Sequence, residues 1–354
     1  MRARWSSTSE PRIHDSNGDA DPAHRGDEPD VRPAAPHLLS DEPLQQPLRV
    51  LRLVEGERRR RPDAARDCGV GRRAAVSWDR DRALSGGEPL LRPEVFDAAR
   101  MFLASGVKLH LHTSGVLLER CAPDVARHFS RVIVSLDSTT ETGYHAVRGV
   151  MALTTVERGV ARLRQLAPGI PVTARTTLHR MNFRELPQLI EHAHAMALDG
   201  ISFLPADMSS TAFGREHPVD RPTLALGRAE IGEFADIVEE VIARKAEDFQ
   251  SGFVAESPEK LRRLPRYYAA QAGLSPFPRS ACNAPYMSVV VEANGSVRPC
   301  FFHKPVGNLR DLPLTTIVER NLPAFRQALD MDRDPVCTRC VCSMKTSWRS
   351  APWH

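Results

Sequence analysis

Two groups of residues in this chain have types and spacings that could do chemistry. The first is Leu84-Ser85-Gly86-Gly87-Glu88-Pro89-Leu90-Leu91. Its two glycines leave the backbone polar groups uncovered, so a ligand can approach the main chain closely. Glu88 sets a negative charge beside them. The second group is a set of thiols. Of seven cysteines, five (Cys282, Cys300, Cys337, Cys340 and Cys342) lie from residue 282 onward. Two β-branched runs flank Asn294-Gly295, a strong short-range hairpin signal, and that hairpin would bring Cys282 and Cys300 to the same end of two strands. Cys337-Thr-Arg-Cys340 adds a pair at Cys-x2-Cys spacing. Four thiolates in two close pairs suit zinc or an iron–sulfur cluster. In a reducing compartment, clustered cysteines mean metal more often than disulfide.

The elements that must position these groups follow from hydrophobic periodicity. Ala83-Leu84-Ser85 reads as a strand end, and Val95, Ala98, Ala99, Phe102 and Leu103 then recur at helix spacing. The run 107–113 alternates apolar and polar residues and ends in Thr113-Ser114-Gly115, a turn. The apolar run 131–137 reads as a buried parallel strand that ends in Ser135 and Asp137. Another strand covers 172–178, with Thr173, Arg175 and Thr177 on one face and Asn182 in the following turn. The last clear strand is 200–205. Strands alternating with helices predict an α/β fold with a parallel sheet or barrel. In β/α barrels ligand contacts gather at the carboxyl ends of the strands, where Glu88, Thr113, Ser135 and Asp137 fall. His110 and His112 share a strand face at i, i+2 and read as locally satisfied rather than as metal ligands. Cys121 reads as structural. Residues 206–280 are polar, with an amphipathic helix near Ile231 to Ala246, and read as a lid and bridge that carries substrate contacts.

Composition narrows the function class. With 354 residues, 42% hydrophobic and 26% charged, the chain is long enough for two domains or for a barrel with an appendage. The net charge is +4 without a basic block in the folded-looking part, so no nucleic-acid partner is inferred. No run of about 18 apolar residues and no signal peptide is present, which points to a cytoplasmic protein without a membrane span.

From about Ala83 to about Met344 the chain resembles the radical S-adenosylmethionine (radical SAM) enzymes. The Gly86-Gly87-Glu88-Pro89 turn resembles the family's turn that binds the SAM amino group. Thr113-Ser114-Gly115 resembles its Thr-Asn-Gly, and Ser135-Leu136-Asp137 its Ser-Leu-Asp facing SAM. Arg148-Gly149 resembles its Arg-Gly pair, which places Arg148 to hold the SAM carboxylate, and Arg175 joins the same set. Cys282-x12-Gly295-x4-Cys300 followed by Cys337-x2-Cys340 resembles the SPASM/twitch extension; Gly307-Asn308-Leu309 and a helix from Leu314 also fit it. The resemblance implies a partial (β/α)6 TIM-like barrel over 83–275, counting one strand upstream, then a SPASM/twitch domain over 276–354. It implies SAM and [4Fe–4S] cofactors, with one auxiliary cluster on Cys282, Cys300, Cys337 and Cys340. Cys342 lies one residue too close to Cys340 for the family spacing. The implied reaction generates a 5′-deoxyadenosyl radical that abstracts hydrogen from a peptide or small-molecule substrate, with an electron donor such as flavodoxin or ferredoxin. The catalytic residues are not named by this pattern.

One family feature is missing. Upstream of the barrel the family carries Cys-x3-Cys-x2-Cys for the SAM-binding cluster, whereas residues 1–82 contain only Cys68. This segment is rich in Arg, Pro, Asp and Gly, with a basic run at Arg58 to Arg61, and reads as disordered. Arg outnumbers Lys by 43 to 5, which suggests a GC-rich gene. With GC-favoured codons, Glu42 to Leu53 read one nucleotide later can give Ser-Arg-Cys-Asn-Asn-Arg-Cys-Val-Tyr-Cys-Gly-Ser. The hidden cysteine codons straddle Leu44/Gln45, Leu48/Arg49 and Leu51/Arg52, at the family's spacing. With suitable codons the same shift can turn Trp78 to Asp81 into Gly-Thr-Gly-Thr, a loop ahead of the strand at Ala83. The segment therefore reads as out of frame; the alternative is a genuine divergent leader. Two other function classes stay open: a catalytically inactive remnant that keeps an iron–sulfur site, and a zinc-ribbon module on a β/α domain.

Overall fold

The computed structural model describes residues 81–208, 210, 212, 223–279 and 282–342. Five parallel strands stand side by side in sequence order: β1 Asp81–Leu84, β2 Lys108–Thr113, β3 Arg131–Ser135, β4 Val172–Leu178 and β5 Gly200–Pro205. Helix α1 Glu94–Ala104 follows β1, and α2 Leu118–His128 follows β2. Helices α3 Glu141–Arg148 and α4 Leu153–Leu166 follow β3, and α5 Leu186–Ala195 follows β4. This is the β/α alternation that the periodicity predicts. The strand expected upstream of β1, Cys68, the basic run and the stretch read in a second frame lie outside the described residues.

Period two sorts each strand into two faces. Leu111 pairs with Val132, Val132 with Val172 and Ala174 with Ile201. These residues and Phe203 are buried under the helices in one apolar core. Fully burying a side chain of this size contributes about 1.5–3 kcal/mol, so the register is strongly held: a one-residue slip would turn every one of them away from the core. The opposite face carries His112 beside Ile133, and Ser135 beside Arg175 beside Ser202. His110 and His112 of β2 and Thr173, Arg175 and Thr177 of β4 thus line the inner wall of the sheet.

The chain after β5 departs from the polar lid expected of it. Ile201 N donates to Phe253 O at 2.7 Å, Ala255 N donates to Ile201 O at 2.9 Å, and Phe203 N donates to Glu256 Oε2 at 2.8 Å. Residues 253–256 therefore run alongside β5 and extend the sheet. Helix α6 Arg228–Arg244, the short α7 Ala246–Gln250 and α8 Pro258–Gln271 complete this side. Phe234, Val238, Val241, Leu261, Leu264 and Tyr268 all enter the same core. Tyr268 Oη donates to Leu178 O at 2.6 Å and accepts from Ala206 N at 2.9 Å, tying α8 to the carboxyl ends of β4 and β5. The polar composition came from the outer faces of amphipathic helices, whose inner faces are apolar.

The C-terminal region starts with α9 Ala284–Met287 and a small antiparallel sheet of β6 Val290–Val291, β7 Ser296–Arg298 and β8 Gly307–Asn308. Glu292 N donates to Ser296 O and Gly295 N to Glu292 O, each at 2.9 Å, so Ala293, Asn294 and Gly295 form a three-residue hairpin loop. Gly295 sits at φ +85°, the left-handed position that this loop type assigns to glycine. A helical run follows, from α10 Leu314–Thr316 through a π turn at Ile317–Asn321 to α11 Leu322–Ala328, with Ile317 and Leu322 buried. Among the described residues, no helix is long and apolar enough to cross a membrane.

Candidate functional site

The first candidate site crowns the carboxyl ends of the strands. After β1 the chain bends through Gly86, whose φ of +147° excludes most side chains. A side-chain carbon placed on Gly86 or Gly87 would meet nothing within 4 Å, so the backbone here faces open space. Pro89 opens a single 3-10 turn, Pro89–Leu91, which suits its fixed φ. Glu88 caps that turn, accepting Leu90 N at 3.1 Å. Its carboxylate also accepts Thr113 Oγ1 at 2.7 Å, Ser114 N at 2.7 Å and Ser114 Oγ at 2.5 Å. Glu88 thus pins the glycine turn after β1 to the turn after β2. Four donors on two oxygens use about the full acceptor capacity of a carboxylate.

A second half of the crown forms after β3. Asp137 is buried, accepting Thr177 N at 2.8 Å on Oδ1, with Arg148 Nη2 at 2.5 Å from Oδ2. Arg148 is the last residue of α3, and Gly149 ends that helix in the left-handed conformation. Asn182, fully enclosed, donates Nδ2 to Asp137 O at 2.9 Å and to Thr177 O at 3.1 Å and accepts His179 N at 2.8 Å. Tyr144 of α3 is buried between the halves. Burial raises its pKa, and Arg148, Asp137 and Glu88 all act on it. Glu88, Thr113, Asp137 and Arg148 therefore converge, while Ser135 and Arg175 lie lower on the inner wall in adjacent register. Arg175 Nε donates to Ser202 Oγ at 3.2 Å. On the same wall, burial first, then Arg175 and His110, lower the His112 pKa to about 4, so this ring is neutral at pH 7.

The second candidate site is the thiol cluster. Cys282 precedes α9, Cys300 follows β7, and Cys337 and Cys340 lie in and after a 3-10 turn, Cys337–Arg339. The thiols of Cys282, Cys300, Cys337 and Cys340 are not in disulfides. Burial, then Cys282 and Asp334, raises the Cys300 pKa. Burial, Asp334, Cys300 and Cys282 push Cys337 up to about 12. Burial, Cys342, Cys282 and Cys300 raise Cys340. The sulfurs therefore feel one another, as ligands of a common centre must. Each also has an N–H donor. Cys282 Sγ accepts Ala284 N at 3.4 Å, Cys340 Sγ accepts Cys342 N at 3.4 Å, Cys300 accepts the backbone N–H groups of Phe302 and His303, and Cys337 Sγ lies 3.3 Å from His303 Nε2.

Comparison with known proteins decides the family. A radical SAM superfamily profile matches residues 72–193, and a SPASM iron–sulfur cluster-binding domain profile matches residues 282–341. The chain belongs to the radical SAM superfamily. Its C-terminal region is a SPASM domain, and [4Fe–4S] clusters and SAM are the cofactors of these domains. The chain is 33% identical over 116 residues to the AdoMet-dependent heme synthase of Methanosarcina barkeri (strain Fusaro / DSM 804), covering 31% of this chain and 32% of the relative. It is 35% identical over 122 residues to the GTP 3′,8-cyclase of Caulobacter vibrioides (strain ATCC 19089 / CIP 103742 / CB 15), covering 33% and 35%. These matches span about a third of each relative's length. The structure of native anSMEcpe with bound AdoMet and Cp18Cys peptide superposes with a TM-score of 0.50 at 18% identity, covering 75% of this chain and 78% of that one, a likeness of fold.

The donors fit one of the family's two cluster types. The four SPASM-region thiols, each met by an N–H group, suit thiolates bound to iron. Their spread favours a cluster over zinc. His303 Nε2, an Asp334 carboxylate oxygen and Cys337 Sγ lie within 4.8 Å of one another, yet among the described residues no three cysteine sulfurs come that close. Zinc–sulfur bonds of about 2.3 Å would hold four sulfurs much closer together. The SAM-binding cluster does not fit this chain: residues 1–80 supply only Cys68, and Cys121 is buried in α2 within the helix-side core.

Sequence reasoning assigned no role to four residues here. Ser114, which stands where Thr-Asn-Gly has its Asn, donates twice to Glu88. Cys342 stands beside the cluster, where burial, then Cys282, raises its pKa to about 11 while Lys260 and Arg175 oppose the shift. Burial lowers the pKa of Arg263 of α8, and Cys340, Cys342 and Cys282 oppose that shift. The signal that could have found His303 was its Cys-x2-His spacing from Cys300.

Proposed function

We propose that this chain is built for radical SAM chemistry on a peptide or small-molecule substrate. In this reading it holds SAM at the crown and an auxiliary [4Fe–4S] cluster on Cys282, Cys300, Cys337 and Cys340. The observation that carries it is the pairing, in one chain, of an open Gly86-Gly87 backbone braced by Glu88 with four convergent thiols. The exposed glycine backbone receives the SAM ammonium beside the braced negative charge of Glu88, Asp137 orients Arg148 toward the carboxylate, and Ser135 and Arg175 line the wall below. Thr113, held by Glu88, fixes the floor of the turn. An auxiliary cluster supplies one-electron chemistry or a substrate anchor when bound. The relatives named above carry a heme synthase and a GTP cyclase name, and the fold neighbour was solved with a peptide, so both substrate classes are retained. An electron donor of flavodoxin or ferredoxin type and a cytoplasmic setting follow from the same reading.

A second reading is favoured by the missing Cys-x3-Cys-x2-Cys motif: the written chain is a non-catalytic iron–sulfur protein. One experiment separates the two. The written chain, reduced with dithionite and given SAM, should make no 5′-deoxyadenosine. A version with its reading frame restored between about residues 42 and 82 should make it. 5′-Deoxyadenosine from the unaltered chain would overturn the non-catalytic reading, and none from the restored one would overturn the catalytic reading.

A further inference from the structure

The four proposed cluster ligands are not served alike by the chain. Three of the sulfurs take backbone N–H groups from two residues further on: Ala284 for Cys282, Phe302 for Cys300 and Cys342 for Cys340. Cys337 departs from this pattern. Its N–H neighbour is a side chain, His303 Nε2, at 3.3 Å. The residue is held from three directions. Arg298 Nη1 donates to His303 O at 2.8 Å, and Arg298 Nε is itself 2.8 Å from Glu292 Oε2 across the hairpin. The ring stands edge-on to Phe325, centroids 5.0 Å apart at 70°. Asp334 Oδ1 accepts Val336 N and Cys337 N at 2.9 Å each, and lies 3.9 Å from His303 Nε2. The imidazole is therefore buried, oriented and aimed at a single sulfur.

We propose that His303 is a positioning residue that donates its Nε2–H to Cys337 and so sets the reduction potential of the auxiliary cluster. The proposal rests on the cluster assignment made above. A metal-bound cysteine has no S–H, so the imidazole nitrogen facing it must be the donor. A hydrogen bond to a ligand sulfur draws negative charge from the cluster, which stabilises the reduced state more than the oxidised one, and hydrogen bonds to sulfur are among the determinants of cluster potential. The Asp334 carboxylate on the same turn acts in the opposite sense. His303 supplies to Cys337 what the backbone supplies to the other three sulfurs.

The test uses the full written chain, reconstituted anaerobically, in three forms: unaltered, His303→Phe and His303→Gln. Phe keeps a ring but removes the donor, and Gln restores an N–H. Iron and sulfide per chain are counted first, then the cluster is titrated electrochemically and followed by electron paramagnetic resonance. His303→Phe should retain the iron count of the unaltered chain and become harder to reduce by about tenfold, or about 59 mV for one electron. His303→Gln should return most of that shift. An unchanged potential in His303→Phe at full iron overturns the proposal and leaves the cluster assignment standing. Loss of iron from both variants also overturns it, since His303 would then be a ligand or a structural support. No iron in the unaltered chain overturns the cluster assignment, and the proposal with it.

Discussion

The crown and the thiol site meet their own polar groups in opposite ways. At the crown, Glu88 and Asp137 are each engaged by donors from neighbouring strands and turns, and the chain satisfies them without a ligand. At the thiol site, burial and mutual proximity push Cys300, Cys337 and Cys340 away from ionisation. Gathering sulfurs this way costs free energy that the protein offsets with N–H groups and with the Lys260 and Arg175 charges near Cys342. The crown is thus preorganised by its own hydrogen bonds, whereas the thiol site gathers groups that a bound metal centre would complete. Metal sites of this kind couple binding to folding.

The largest effect that would break this contrast is on the thiol side. Replacing Cys337 and Cys340 together by Ala should abolish the visible absorbance of the reconstituted chain and expose residues 282–342 to limited proteolysis, while the barrel keeps its far-ultraviolet circular dichroism. Retention of iron by the double variant would refute the ligand assignment. A smaller effect is expected at the crown. A hydrogen bond to a charged group contributes about 1.5–3 kcal/mol, so Glu88→Ala should weaken SAM by about ten-fold or more in a frame-restored chain, read by calorimetric titration. Thr113→Val should weaken it less, because the Ser114 donors still hold the carboxylate. Equal affinity in Glu88→Ala and the parent would remove Glu88 from the site.

The last effect concerns the inner wall. His112 titrates near 4 in the folded chain, against about 6.5 when unfolded. Above pH 6.5 both states are neutral at this ring and it adds no pH dependence. As pH falls from about 6.5 to about 4, the unfolded state takes up the proton first, so stability declines by about 3 kcal/mol and then levels off. Denaturant titrations at pH 7 and pH 5 should show this loss in the parent and less of it in His112→Gln. Identical pH dependence in the two would show that the ring is not held neutral.

Much of this was legible in the letters because it depends on near neighbours. Gly86-Gly87-Glu88-Pro89 had to turn and open a helix-like segment, and Asn294-Gly295 had to close a hairpin, since both follow from backbone freedom over a few residues. The alternation in 107–113 predicted a strand, and the period-two rule placed His110 and His112 together. Residues 206–280 misled for the converse reason. Their outward faces dominate composition, and only packing shows that Phe234 and Tyr268 belong to the core.

By itself, then, the sequence determined the β/α order, the hairpin, the thiol spacing and the lack of the upstream cysteine triplet. Each is a property of adjacent residues or of a count. Tertiary structure alone decided that Glu88 would be held by Thr113 and Ser114 from the next strand, that Arg148 would meet Asp137, and that His303 would face Cys337. Those pairs are separated by 11 to 34 positions in the chain. They form because strand order and register carry turns that are distant in sequence to one end of the sheet, and because a hairpin brings Cys300 and the loop after it against the turn at Cys337.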